Sequence, residues 1–387
     1  MITKIINGRI LSGNTIMEEE ALYFEKNKIL AVTSAPMPYD RVVDAQGQYV
    51  SPGFIDIHVH GGGGYDFMDG GTEAIVKAAD FHLQYGTTSI LPTSLASSYE
   101  TLEGFLKDLK KVMDTHESRS NILGAHLEGP YFSKNQSGAQ NPEYIKSPTP
   151  KEYRKIIEEY GEVIQRWSFA PELKGSEEFC ETLVKNHIIP SIGHSDGELS
   201  DVERVYDRGC RLVTHLYSSM SSITRHNGYR RLGVVEAAYL LDDMTAEIIA
   251  DGRHLPGELL KLIVKCKKVE EICLVTDAMR GAGMKEGKSL LGRKGEAMPC
   301  IIEDGVAKLP DRTSFAGSVA TADRLIRTMI FEAGVSVEKA VSMMTAVPAG
   351  ILKLEKKGRL RQGYDADMVM FDEGIRVSKV IVGGSEC

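Results

Sequence analysis

Pro52-Gly53-Phe54-Ile55-Asp56-Ile57-His58-Val59-His60-Gly61 is the stretch of this chain that decides its fold. Its centre, Phe54–Val59, is apolar enough for a parallel strand buried on both faces. Residues i and i+2 of a strand share a face, so His58 and His60 aim their imidazoles at one point. Gly61–Gly64 follow directly, which puts the pair where the strand ends and a loop opens. In a barrel of parallel strands that end carries the chemistry. Two neutral imidazoles converging there make half a site for zinc or iron. The same spacing alone also suits a strand cap beside a hydrogen-bonded neighbour.

Further stretches repeat the design, with an apolar run, then a metal-competent or acid–base side chain, then Gly, Ser or Asp. They are Ile122-Leu123-Gly124-Ala125-His126-Leu127-Glu128-Gly129-Pro130, Ile188-Ile189-Pro190-Ser191-Ile192-Gly193-His194-Ser195-Asp196, Leu212-Val213-Thr214-His215-Leu216 and Ile272-Cys273-Leu274-Val275-Thr276-Asp277-Ala278. Ala246-Glu247-Ile248-Ile249-Ala250-Asp251-Gly252-Arg253-His254 is a weaker sixth. When parallel strands close into a barrel their C-terminal ends form a ring, and side chains from distant strands meet across its mouth. Repetition at that scale favours the metal.

The bulk properties agree. With 387 residues, 42% hydrophobic and 26% charged, the chain reads as an ordinary globular protein larger than one typical domain. A net charge of −8 argues against nucleic acid or an anionic membrane surface as partner. No stretch reaches the ~18 uninterrupted apolar residues of a membrane helix. The six cysteines lack pairing or C-x-x-C spacing, and Met1–Gly8 lacks the apolar core of a signal peptide, so a cytoplasmic protein with reduced thiols is expected.

Residues 1–50 hold only short strand candidates: Ile2–Ile6, Arg9–Leu11, Ala21–Glu25, Lys28–Thr33 and Arg41–Asp44. From Ser51 strands alternate with helices, including Thr72–Tyr85, Tyr99–Thr115 and Ser176–Asn186. Eight strands between Phe54 and Asp277 predict an α/β protein with a (β/α)8 barrel of the TIM type over residues 51–352. An insertion, Arg280–Ser314, and two helices, Thr321–Ala333 and Val337–Thr345, follow. Residues 1–50 and 353–387 are expected to form one small sheet domain together.

Within the mouth, Glu128 precedes a strand-breaking Gly-Pro and offers a carboxylate able to bridge two ions. His194 and His215 bring two more imidazoles. Three or more nitrogens with an anionic oxygen suit Zn2+ or Fe2+ better than Mg2+ or Ca2+. His126 shares a face with Glu128 but lies lower, as a residue that supports ligands from behind. Asp277 ends the last strand, where a carboxylate takes a proton from an attacking water and passes it to a leaving amine. Those requirements are the requirements of amide hydrolysis.

The arrangement resembles the amidohydrolase superfamily. More narrowly, Pro52–Gly61, His126-Leu127-Glu128-Gly129-Pro130-Tyr131-Phe132, Gly193-His194-Ser195, Thr214-His215-Leu216-Tyr217, Ala250–His254, Leu274–Met279, Ala316-Gly317-Ser318 and Gly363–Asp367 are similar to the N-acetylglucosamine-6-phosphate deacetylase family. The resemblance implies a barrel with a small β-sandwich made by both termini, a homodimer, and one or two divalent ions per subunit. It implies His58, His60, Glu128, His194, His215 and Asp277 as metal ligands, with Asp277 the acid–base. It also implies that His254 contacts the sugar and polarises the scissile carbonyl. Ala316, Gly317 and Ser318 would line the sugar pocket through backbone groups, and Arg225 would reach the substrate phosphate of the neighbouring subunit.

Two departures fall in the specificity residues. The family's Asn–Ala pair after His-Leu-Tyr is Ser218-Ser219 here, and its His after Lys-Gly-Ala is Gln140, beside Ala139. The leading expectation is removal of acetate from N-acetylglucosamine 6-phosphate, giving glucosamine 6-phosphate. The alternatives are a related N-acyl sugar such as N-acetylgalactosamine 6-phosphate, or another amide hydrolase of the superfamily. Hydantoinase-like members use a strand-four lysine that Gln165–Ala170 lacks.

Overall fold

The computed structural model describes every residue from Met1 to Cys387. Eight parallel strands form its centre: β1 Phe54–Val59, β2 Thr87–Ser94, β3 Ala125–Glu128, β4 Ile164–Phe169, β5 Ile189–Ile192, β6 Leu212–Val213, β7 Thr245–Ile248 and β8 Ile272–Leu274. Each pairs in parallel with the next, β1 through β8 in chain order. The ring closes past the strand ends, where Asp277 N donates to His58 O at 2.9 Å and His60 N to Ala278 O at 2.8 Å. The Asp56 carboxylate adds a buried clasp, accepting from Thr276 Oγ1 at 2.5 Å. Every residue of β1 and β2 is buried, as strands covered on both faces require.

Helices follow the strands where apolar periodicity predicts them. Tyr99–Thr115 starts at Ser98, whose Oγ accepts from Thr101 N at 3.1 Å and so satisfies one free N–H of the first turn. Two helices escape the sequence reading, Val234–Leu240 and Ala346–Ile351. The first is short, opens on two valines and is largely buried, so it shows no polar stripe. The second carries Pro348, which ends most helices but fits a first turn, whose N–H groups have no partner.

The terminal segments build two sheets. One runs Lys28–Thr33, Ala21–Glu25, Ile2–Ile6, Arg41–Asp44; the other runs Ser385–Glu386, Val377–Val382, Met368–Phe371, Tyr49–Pro52, Arg9–Ser12, Thr15–Met17. They share a core in which Ile5, Leu22 and Phe24 of the first meet Ile10, Val50, Met368 and Met370 of the second. The expected boundary at residue 50 falls inside a strand. Tyr49–Pro52 pairs with Met368–Phe371, Pro52 opposite Met368, so the N-terminal piece runs to Pro52. The insertion is a three-stranded antiparallel sheet, Gly287–Leu291, Met298–Glu303 and Val306–Lys308. Its first strand is mostly exposed and lacks the alternation that would mark it. No helix is long and apolar enough to cross a membrane.

Candidate active site

All six donors expected at the barrel mouth converge there. Glu128 is the last residue of β3; His60, His194, His215 and Asp277 lie just past the ends of β1, β5, β6 and β8. Three of them hold left-handed backbone, His194 at φ 48°, His215 at φ 30° and Asp277 at φ 48°. That region is unfavourable for residues with a Cβ, by roughly 1–3 kcal/mol each, and is retained where the surrounding structure enforces it. Here each strand ends in a sharp turn, and the turn throws the side chain inward.

The donors form two adjoining groups, His58–His60–Asp277 and Glu128–His194–His215, within each of which the ligand atoms lie inside 4.8 Å of one another. Glu128 lies between them. Its Oε1 is 3.2 Å from His194 Nε2, 3.0 Å from His215 Nε2 and 3.4 Å from His58 Nε2, while Oε2 is 3.4 Å from His60 Nε2. Asp277 Oδ1 stands 3.1 Å from His60 Nε2. All six are buried.

Burial pulls the His58 and His60 imidazoles down, but Glu128 and Asp277 outweigh it and push them up to about 9 and about 10. Burial raises the two carboxylates, and the cationic imidazoles, His58 first, override it and hold both below their usual range. The pocket thus favours positive charge between its carboxylates. Nε2 of His58 and His60 stand 3.3 Å apart, and those of His194 and His215 3.2 Å apart. Facing lone pairs at that distance need a cation or a shared proton between them. Clustered imidazole nitrogens with two carboxylates form a donor set suited to divalent metal ions.

The cluster floors a cavity of about 470 Å3 whose wall includes Ala139, Gln140, Ser218, Ser219, His254 and Gly317. His254 Nδ1 is 2.9 Å from Asp251 Oδ2, leaving Nε2 available to a ligand. Of the three residues expected to line the pocket through backbone groups, Gly317 is in the wall and the other two turn their side chains away. Ala316 is buried beside Met279, Leu291, Cys300 and Ala307, and Ser318 Oγ donates to Thr276 O at 2.6 Å. The segment runs beside Asp277, with Ser318 N donating to Asp277 O at 2.8 Å, so its side chains alternate away and only Gly317 faces the opening. Arg225 lies on an exposed hairpin, Thr224–His226 with Tyr229–Arg231, outside the lining of this cavity.

Gln140 lines the cavity but is engaged with the cluster. Its Nε2 donates to Glu128 Oε2 at 2.6 Å and its Oε1 accepts from Ala96 N at 2.8 Å. His126 Nε2 is 2.7 Å from Ser168 Oγ below the ligands, and burial, then the Arg166 charge, hold its imidazole well below the usual range. Sequence reasoning missed Lys308, Arg312 and Phe315, which the insertion brings to the rim. It also missed Arg166 in β4 and Glu247 in β7, both wholly buried beneath the donors. Their signal was present, since a charge inside a strand buried on both faces demands a partner.

The amidohydrolase family model matches residues 49–387. The chain belongs to the amidohydrolase family. That family is metal-dependent, in keeping with the donor set. The N-acetylglucosamine-6-phosphate deacetylase of Lysinibacillus sphaericus is 32% identical over 342 residues, covering 88% of this chain and 86% of that one. The N-acetylgalactosamine-6-phosphate deacetylase of Escherichia coli O157:H7 is 28% identical, covering 97% of each. The crystal structure of the Pasteurella multocida N-acetylglucosamine-6-phosphate deacetylase superposes with a TM-score of 0.92 at 25% identity, over 100% of both chains.

Proposed function

We propose that the chain is a divalent-metal-dependent deacetylase of an N-acetylhexosamine 6-phosphate, with N-acetylglucosamine 6-phosphate as substrate and glucosamine 6-phosphate and acetate as products. The convergence of His58, His60, Glu128, His194 and His215 around Asp277, beneath a cavity carrying His254, is the observation that supports it. One or two ions, Zn2+ or Fe2+, suit these donors. Bound there, they would supply Lewis acidity, lowering the pKa of a water and polarising an amide carbonyl. Asp277, held as carboxylate by the neighbouring imidazoles, takes the proton of the attacking water on an Oδ atom. It returns that proton to the sugar nitrogen as the C–N bond breaks, releasing acetate. In its imidazolium form His254 keeps Nδ1–H on Asp251 Oδ2 and donates from Nε2 to the carbonyl oxygen as charge develops on it.

For the phosphate we assign Arg225 of a neighbouring copy in a homodimer. A guanidinium fork matches a phosphate, and the exposed hairpin places it to reach outward. Lys308 and Arg312 of the same chain stand at the rim, but Lys308 is 2.6 Å from Asp304 Oδ2 and Arg312 2.9 Å from Glu303 Oε1. Their charge is already answered. Six free thiols suit the reducing cytoplasm. A second reading, N-acetylgalactosamine 6-phosphate, draws on the relative with that activity, covered over 97% of each chain, and on the departure at Ser218 and Ser219, which stand in the cavity wall. Amine release from both N-acetylhexosamines, each with and without the 6-phosphate, tests the assignment. N-acetylglucosamine 6-phosphate is expected to have the highest kcat/KM; equal turnover of the unphosphorylated sugars removes the phosphate from the proposal.

A further inference from the structure

Beneath the donors lies a polar layer that the reaction does not use directly. The Glu247 carboxylate in β7 is wholly buried and grips the Arg166 guanidinium of β4 through both oxygens, Arg166 Nη2 donating to Oε2 at 2.9 Å and Nη1 to Oε1. The guanidinium spends its other N–H groups on the barrel: Nη1 on Ile57 O at 3.3 Å, Nη2 on Thr214 Oγ1 at 2.8 Å and Nε on Ser191 Oγ at 3.0 Å. Ile57 and Thr214 immediately precede His58 and His215. Glu247 Oε2 stands 3.3 Å from His58 Nδ1 and accepts from His215 N at 3.4 Å. One ion pair therefore touches both donor groups.

An ionised carboxylate only accepts hydrogen bonds. The proton between Glu247 and His58 consequently belongs to Nδ1. Nε2 then faces Glu128 Oε1 at 3.4 Å and Asp277 Oδ1 at 3.5 Å. We infer that Glu247, braced by Arg166, is the positioning residue of this centre: it holds His58 with its proton on Nδ1, so that Nε2 presents a lone pair to an ion. A buried pair of this kind is weak evidence for a stabilising role, because apolar residues of similar volume fill such a space as well or better. An apolar pair has no acceptor for Nδ1–H. Outer-layer partners of this type affect metal affinity by about 10- to 100-fold.

The inference rests on the reading of the cluster as a metal centre, and its test separates the two. Arg166→Met with Glu247→Leu removes both charges together and leaves no lone buried ion. Co2+ titration followed by visible absorption, with ions counted by mass spectrometry, reads binding without turnover. In the wild type we expect ions at both groups. In the double variant the ion on the Glu128–His194–His215 group is retained, and the one on His58 binds about 10- to 100-fold more weakly. A purely structural role would shift both affinities alike or neither, and either result overturns the inference. Should the double variant not fold, nitrogen-15 histidine spectra of the zinc-loaded wild type decide. They are expected to show His58 protonated at Nδ1 and metal-bonded at Nε2; the reverse, or no bonded Nε2, overturns the inference. A wild type that binds no metal overturns the proposed function with it, whereas a double variant matching a two-ion wild type overturns this inference alone.

Discussion

Asp277→Asn exchanges one carboxylate oxygen for an amide and leaves the rest of the mouth in place. Asp277 sits at φ 48°, a conformation that Asn tolerates as well as Asp, so the backbone has no reason to move. Its Oδ1 lies 3.1 Å from His60 Nε2 and the side chain keeps 12% exposure toward the cavity. The amide oxygen still offers a donor atom to an ion, and four imidazoles with Glu128 remain. Lost are a negative charge and a proton acceptor at the reacting centre. General acid–base assistance is worth about 10²–10⁴ in rate, which at 1.36 kcal/mol per decade is about 3–5 kcal/mol of barrier. The expected result is a kcat lowered at least about a hundredfold, with metal content close to wild type under saturating Zn2+. Amine release measures the rate and mass spectrometry the ions. A variant that holds its metal and keeps more than about a tenth of wild-type kcat, outside the range of general acid–base effects, refutes the role of Asp277.

His254→Asn should lower kcat by about 10²–10³, the effect of losing one donor to a developing oxyanion, with KM little changed; a change confined to KM would make His254 a binding group only. Arg225→Ala should raise KM for the phosphorylated substrate by roughly ten- to a hundredfold, from about 1.5–3 kcal/mol for a charge-assisted contact, while kcat holds. If Arg312→Ala has the larger effect, the phosphate is held within the same subunit. His82 gives a pH dependence. Its Nε2 meets Gly61 O at 3.0 Å, and burial lowers the imidazole from 6.5 to about 4. Below pH 6.5 the unfolded chain takes up a proton that the folded chain refuses, so stability falls with pH until about 4. The shift corresponds to about 3 kcal/mol at 1.36 kcal/mol per unit. Urea unfolding at pH 7.5 and 4.5, which spans about 2.5 kcal/mol of that linkage, should show a loss smaller by about that much in His82→Gln; equal losses would dismiss His82 as the cause.

The barrel was legible because strands covered on both faces read as unbroken apolar runs, and because glycine, serine or proline marks where each ends. The gathering of these six side chains at the mouth was legible for the same reason, since position at a strand end sets both where a side chain lies and which way it points. Residues whose placement depends on distant pairing were not. Arg166 and Glu247 stand 81 positions apart, and nothing local in β4 or β7 says that they meet. The resemblance implied that Ala316, Gly317 and Ser318 line the pocket through backbone groups, but it carried no information on the backbone bonds of that segment to residues 277–279, which send the side chains of Ala316 and Ser318 inward. Gln140 looked like a sugar contact, but the chain folds back so that its amide reaches Glu128. The rim cations Lys308 and Arg312 arrive on a sheet whose first strand carries no apolar pattern.

Amide hydrolysis that depends on ions held by these six side chains is the central claim, and one titration tests it. Protein stripped with a chelator is given Zn2+ or Fe2+ stepwise while amine release from N-acetylglucosamine 6-phosphate is followed. Expected are negligible turnover in the stripped protein, recovery that saturates at one or two ions per chain, and no recovery in His58→Ala/His215→Ala. Stripped protein that hydrolyses the substrate at the full rate, or recovery that survives loss of both histidines, would contradict it.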